Sequence, residues 1–216
     1  MSSLGRFSKR IVKFIIFIFS ISLFIGLVLS FVFPIGYKDY INKYSSQYGI
    51  DPFLVAAIIN IESKYNKDVV SYKYARGLMQ IGPQTGEWGA KELNIEDYSH
   101  VLLFNPEINI RIGTWYLDQL NKEFNYDLNL VLAAYNAGSG NVQKWLANTE
   151  YSRDGVELSH IPFKETEEYV KKVNYNYYIY KNIYKHYMEK PDSINSLYIN
   201  VIIIIKTYIK KFLQSL

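Results

Sequence analysis

Asp51-Pro52-Phe53-Leu54-Val55-Ala56-Ala57-Ile58-Ile59-Asn60-Ile61-Glu62-Ser63 is the stretch on which the reading of this chain turns. Asp51 as N-cap and Pro52 at the first helical position start a helix. Side chains that are apolar nearly all the way round assign that helix to a protein interior. Glu62 is the exception in it. A carboxylate near an interior must be paired, hydrogen-bonded or protonated, because desolvation disfavours its charged form and raises its pKa. A general acid working near neutral pH needs such surroundings. The same residues also fit a plainer reading, in which Glu62 sits at the solvated end of the helix beside Lys64 and Lys67. The stretch by itself supports both.

Outward from this helix, the chain keeps to helical periodicity. Tyr37, Tyr40, Ile41, Tyr44 and Tyr48 recur at helical spacing ahead of it, with Gly49 as the stop. Lys64 to Arg76 is polar and irregular, a loop, and Gly77 allows a close backbone approach as the chain enters a short helix. Pro83 opens another helical stretch to about Leu93. Pro106 begins a longer helix striped by Ile108, Ile112, Trp115, Tyr116 and Leu120, which reads as scaffold. Asp127 caps a helix through Tyr135, and Gly138-Ser139-Gly140 breaks it before Val142–Leu146. After a loop from Thr149 to Pro162, Glu165 to Met188 is helical, with Tyr169, Val173, Tyr177, Tyr180, Tyr184 and Tyr187 on one face. No alternating segment is long enough for a sheet, so the fold class is all-α, mainly helical α+β at most.

Composition narrows the chemistry. The chain has 216 residues and no cysteine, which excludes disulfides, a thiolate nucleophile and cysteine-ligated zinc. His100, His160 and His186 are far apart, without metal-ligand spacing, so neither a metal nor another cofactor is expected. The net charge is +4, but Arg6, Lys9, Arg10 and Lys13 precede one apolar run and Lys206, Lys210 and Lys211 sit in the tail. Setting those seven charges aside leaves −3 for the rest, which offers no broad cationic face to phosphates. DNA and RNA are therefore excluded as main partners. Most of the 21 tyrosines go with the abundant Ile, Asn and Lys, whose codons are A/T-rich, rather than with carbohydrate stacking.

Phe14 to Phe33 carries no charge over 20 residues, enough at helical rise to match the ~30 Å hydrocarbon layer of a bilayer. The basic residues before it orient the N-terminus, residues 1–13, to the cytoplasm and everything after Pro34 to the outside. A cleaved signal peptide would have a shorter apolar core and a small-x-small cleavage site, and Leu29-Ser30-Phe31-Val32-Phe33-Pro34 offers no good one. The segment reads as an uncleaved signal anchor. In the tail, 191–216, the run Val201-Ile202-Ile203-Ile204-Ile205 is too short to cross a membrane before Lys206. A helix there groups Val201, Ile205, Tyr208, Ile209, Phe212 and Leu216 against Lys206, Lys210 and Gln214. That suits an interfacial helix beside acidic lipid headgroups. A strand or helix packed on the domain fits equally.

Four motifs follow one another. Glu62-Ser63 is followed by Ser71 and Ala75-Arg76-Gly77-Leu78-Met79-Gln80-Ile81, then by Ala134-Tyr135-Asn136-Ala137-Gly138, and last by Ile161-Pro162-Phe163-Lys164-Glu165-Thr166-Glu167-Glu168-Tyr169-Val170. In this order and at these spacings they resemble the soluble lytic transglycosylase domain, a goose-lysozyme-like family that cleaves the glycan strands of bacterial peptidoglycan. The resemblance covers residues 40–187 and implies a lysozyme-like helical domain over 37–190, with peptidoglycan strands as substrate.

Ordinary glycosidases set two carboxylates across the scissile bond. The family manages with one. Its glutamic acid protonates the glycosidic oxygen, the substrate's N-acetyl group helps to stabilise the positive charge, and the same glutamate then deprotonates the C6 hydroxyl, whose attack closes a 1,6-anhydro ring. By this resemblance Glu62 serves as acid and then base. Ser71 matches the serine near the reactive sugar, Gln80 the glutamine lining the cleft, Tyr135 the phenol close to the acid, Asn136 the amide that binds sugar polar groups, and Tyr169 the last tyrosine. Gly77, Leu78 and Met79 shape the backbone and the hydrophobic wall. No motif supplies a second carboxylate; Glu87 and Asp97 are the acids the fold would have to bring in. Two positions depart from the family. Ile81-Gly82-Pro83 stands where Ile-Met-Pro is common, and Tyr65 stands where tryptophan is common. A muramidase hydrolysing the same bond and an inactive peptidoglycan-binding module are the rival readings.

Overall fold

The computed structural model describes residues 3–189 and 194–214. Leu216, placed by its sequence on the tail's apolar stripe, lies outside them, as do the side chains of Arg6, Lys9, His186 and Lys210. The described residues form helices α1 (Ser3–Val32), α2 (Lys38–Tyr48), α3 (Pro52–Ser63), α4 (Pro83–Glu92), α5 (Pro106–Glu123), α6 (Leu128–Ala137), α7 (Ser139–Leu146), α8 (Lys164–Glu189) and α9 (Ile194–Gln214), with a 3-10 turn at His100–Phe104. Among them there are no strands, only isolated bridges pairing Arg76 with Val70 and with Ile81. The chain divides into two compact units, Ile35–Ile183 and a second made of Met1–Pro34 with Tyr184–Leu216.

In the larger unit α3 is the central helix. The Asp51 side chain accepts from the Phe53 N–H at 2.9 Å, Pro52 occupies the first turn, and residues Phe53 to Asn60 are all buried. Three bonds run from α3 to α8: Tyr177 donates to Asp51 at 2.6 Å, Asn60 to Asn176 at 2.8 Å, and Tyr169 to Glu62 at 2.8 Å. Position rises along α3 as it falls along α8, so the two helices are antiparallel and the end of α3 meets the start of α8. α2 is fixed to α5 by Glu107, which accepts from Lys43 at 2.7 Å and from Tyr44 at 2.8 Å. α5 begins at Pro106, as its sequence predicts, and the structure adds a cap: Asn105 accepts from the N–H groups of Glu107 and Ile108 ahead of the buried stripe.

Two local expectations are corrected. No helix follows Gly77. Gly77 (φ 77°) and Gln80 (φ 47°) are both left-handed, which a right-handed helix cannot accommodate, and the segment closes into a tight turn with Arg76 and Ile81 exchanging backbone bonds of 3.0 and 3.1 Å. The break after α6 is also shorter than expected: Gly138 (φ 90°) alone makes the corner, and α7 starts at Ser139 rather than beyond Gly140.

In the smaller unit α1 contains one stretch, Arg10–Val32, that is long and apolar enough to cross a membrane, and most of it is exposed. The described part of the tail is the helix α9, which lies along α1.

Candidate active site

The last turn of α3 delivers Glu62 to a place where protein closes round it on most sides. The chain then turns away abruptly, with Lys64 and Tyr65 both left-handed (φ 52° and 62°). Lys64 is exposed and Lys67 pairs with Asp68 at 2.7 Å, so these two cations do not draw Glu62 out to solvent as the plainer reading required. The Glu62 side chain is half-buried. Burial pushes its carboxyl up to about 7, opposed by the hydrogen bond from Tyr169, which favours the ionised form. Near neutral pH the group is thus divided between acid and base forms, so one carboxyl can both give and take a proton.

Tyr169, buried in the first turns of α8, donates its hydroxyl to Glu62 Oε1 at 2.8 Å. The phenol expected close to the acid by resemblance, Tyr135, makes its hydrogen bond elsewhere, to the carbonyl of Met79 at 2.8 Å. It still shares the field of the acid. Burial first and the nearby Glu62 second hold both phenols well above the ordinary tyrosine range, so both stay protonated as donors. Tyr116 stacks obliquely on Tyr135 at 5.6 Å, and Trp88 meets Tyr116 edge-on at 6.2 Å, continuing an aromatic row to the surface.

Ser71 and Gln80 belong to one stiffened loop. The Ser71 hydroxyl accepts from the Ala75 N–H at 3.0 Å, and the Gln80 amide donates to the carbonyls of Val69 and Gly77 at 3.1 and 2.9 Å. Neither hydrogen-bonds Glu62, whose partner is Tyr169. Asn136, at the end of α6, accepts from Thr166 at 2.8 Å and so is held against the start of α8. Leu78 and Met79 are fully buried, which makes them core beneath the loop and not a wall facing a ligand. Tyr65 is half-buried and donates to the Ala56 carbonyl at 3.3 Å. Of the two acids outside the motifs, Glu87 is exposed and bonded with His100 at 3.0 Å, and Asp97 is exposed. A separate cavity of about 580 Å³, lined by Asp127, Glu157, His160, Glu167 and Lys171 among others, contains none of the expected site residues.

Sequence reasoning missed Asn109. Fully buried on α5, its amide donates to the carbonyls of Arg76 and Leu103 at 2.9 and 2.8 Å and accepts from the Met79 N–H at 2.7 Å. It thereby sets the turn whose Met79 carbonyl receives Tyr135. The signal was a lone amide in the run Ile108-Asn109-Ile110, because a polar group on a buried face must have partners.

A family model described as the transglycosylase SLT domain matches residues 39–156, which include Glu62, Ser71, Gln80, Tyr135 and Asn136. The chain belongs to this family. The SLT chain is 38% identical over 166 residues to the soluble lytic murein transglycosylase of Salmonella typhimurium, covering 76% of this chain and 25% of that protein. It is 31% identical over 160 residues to membrane-bound lytic murein transglycosylase C of Actinobacillus pleuropneumoniae, covering 64% and 44%. Among solved structures it superposes on an inactive glutamate-to-glutamine mutant of lytic transglycosylase Slt from Pseudomonas aeruginosa with a TM-score of 0.64 and 31% identity, over 76% of this chain and 26% of that one. The chain spans about a quarter of the length of the soluble relatives it matches. The helical, lysozyme-like SLT fold expected from its motifs is therefore the fold it has.

Proposed function

We propose that this SLT protein is a peptidoglycan lytic transglycosylase that cleaves the MurNAc-GlcNAc β-1,4 bond, with a catalytic domain over 37–190. The observation that carries this reading is the half-buried Glu62 carboxyl, raised to about 7 and held by Tyr169 at 2.8 Å. Protonated, it gives its proton to the glycosidic oxygen as the bond from the MurNAc anomeric carbon breaks. The carboxylate left behind takes the proton of the C6 hydroxyl, whose oxygen bonds to the same carbon and closes the 1,6-anhydro ring. Atoms balance without water, and Glu62 returns to its starting state. Tethering favours this route, since effective molarities of well-placed intramolecular groups reach ~10⁵ M or more, far above that of liquid water. In this scheme Tyr169 orients the acid, while Ser71, Gln80, Tyr135 and Asn136 line the substrate's path.

The exposed apolar Arg10–Val32 stretch supports a membrane anchor, and the basic residues before Phe14 support a cytoplasmic N-terminus with the catalytic domain outside. Protease added to intact, wall-stripped cells should then digest the domain; protection would reverse the orientation. Mass spectrometry of digested glycan strands tests the chemistry. Products ending in 1,6-anhydro-MurNAc, one water lighter than hydrolytic ends and resistant to borohydride, are expected. Reducible ends carrying oxygen from labelled water would make the chain a muramidase with the same acid.

A further inference from the structure

We propose that α9 is a re-entrant helix seated in the bilayer on a stripe of small residues of α1, so that the membrane holds α9 as well as α1. The inference rests on the reading of α1 as a membrane anchor. Three contacts define the seat. The Tyr198 hydroxyl donates to the Ser22 carbonyl at 2.7 Å and lies 3.0 Å from the Ser22 hydroxyl. Ile202 sits over Gly26, where a Cβ would come within 2.4 Å of its Cδ1. The Lys206 ammonium donates to the Ser30 carbonyl. Each pair is 176 positions apart, so the helices run parallel and in register, touching once every four residues. Ser22, Gly26 and Ser30 form the small-xxx-small pattern that lets two helix backbones approach closely in lipid.

The register matches the two helices group by group. The run Leu197–Ile205, apolar but for Tyr198 and the exposed Asn200, lies level with α1 positions 21 to 29, inside its uncharged run. Lys206 falls at the last turn of α1, where carbonyls lack intrahelical partners and the helix dipole favours a cation, and it also lies 5.0 Å from the Phe31 ring. Away from α1, Leu197, Val201 and Ile204 are exposed, continuous in character with exposed Phe14 to Phe19 and Phe24. So large an apolar surface needs lipid around it. Nine residues rise only ~13 Å, under half the ~30 Å of a hydrocarbon layer, so α9 cannot cross it. The ends agree. Tyr184 donates to the Phe33 carbonyl at 2.6 Å, so the chain arrives at the C-terminal end of α1, and α9 runs back toward that same end.

The chain has no cysteine, which makes the test direct. In the full chain in native membranes, the pairs Ser22→Cys with Tyr198→Cys and Gly26→Cys with Ile202→Cys should each be cross-linked within one chain, the second as a disulfide and the first by a bismaleimide that spans the length of the lost tyrosine ring, leaving the two ends joined after tryptic cleavage of the catalytic domain. The pair Ser30→Cys with Tyr198→Cys, which an antiparallel helix would bring together, should not. A single Ile204→Cys should resist a membrane-impermeant maleimide until detergent is added, and a C-terminal tag should be accessible from the same side as the catalytic domain. Failure of both parallel pairs, cross-links only between copies, a cytoplasmic tag, or ready labelling of Ile204→Cys would each overturn the proposal. If the chain resists alkaline carbonate extraction in such a case, the α1 anchor still stands. Extraction by carbonate would remove the anchor and the proposal together.

Discussion

Glu62→Gln should stabilise the fold at alkaline pH, and the size of the effect follows from the carboxyl itself. In the unfolded chain Glu62 titrates near 4.5; in the fold burial raises it to about 7. Below 4.5 both states bind the proton and pH has no effect. Between 4.5 and about 7 the unfolded chain has lost the proton while the folded one keeps it, so stability falls as pH rises. Above about 7 both are ionised and the loss is complete. Moving a carboxyl that far corresponds to roughly 3 kcal/mol, and the half-open setting of the side chain trims this to about 2 kcal/mol. Glutamine keeps the size and an oxygen for the Tyr169 hydroxyl but carries no charge at any pH. Urea unfolding in mild detergent, followed by tryptophan fluorescence, reads the larger unit alone, because Trp88, Trp115 and Trp145 all lie in it. The two proteins should unfold alike at pH 4 and differ by about 2 kcal/mol in favour of Gln at pH 8.5. A difference that stays flat, or one in which the wild type gains as pH rises, would refute the raised carboxyl and with it the acid.

Activity should disappear in the same Glu62→Gln variant by at least ~10²–10⁴-fold in glycan turnover, since the amide can neither give nor take the proton. Wild-type rate should fall as pH rises through about 7, where the acid form is lost. Tyr169→Phe removes the one group that favours the ionised carboxyl, so this falling limb should move to higher pH by about one unit, read from a rate profile. Asn109→Ala leaves two carbonyls and one N–H unpaired in the interior and should cost about 3 kcal/mol or more in urea unfolding, with turnover lost in the folded fraction. Gly77→Ala places a Cβ 2.2 Å from the Leu103 carbonyl at a φ of 77°, and a loss of about 2–4 kcal/mol is expected in the same measurement.

Helices and their ends were legible because their causes are local. Asp51-Pro52, Pro106 and Asp127 start helices where they stand in the sequence, and the apolar residues of α3, α5 and α8 name their buried faces without reference to a partner. Gly77 was read as a close approach, correctly. The turn it begins was not read, because Gln80 accepts a left-handed backbone only where Asn109, on another helix, receives the freed backbone groups. The tail shows the same division, since a repeat of apolar residues and lysines fits a lipid surface and a partner helix alike. That α9 lies along α1, a contact the sequence does not name, is visible only in the structure.

The site divides in the same way. Sequence alone determined that a carboxylate closes an apolar helix, that a glycine allowing close approach, a tyrosine-asparagine pair and a last tyrosine follow it, and that helices dominate the fold, because composition, caps and spacing are properties of the chain. Tertiary structure decided which hydroxyl meets the acid, Tyr169 and not Tyr135, and that Glu62 loses its proton only near neutral pH. Both depend on what surrounds a side chain. Desolvation and hydrogen bonding act over a few ångströms between residues that stand 107 positions apart, and no local pattern in a sequence carries that distance.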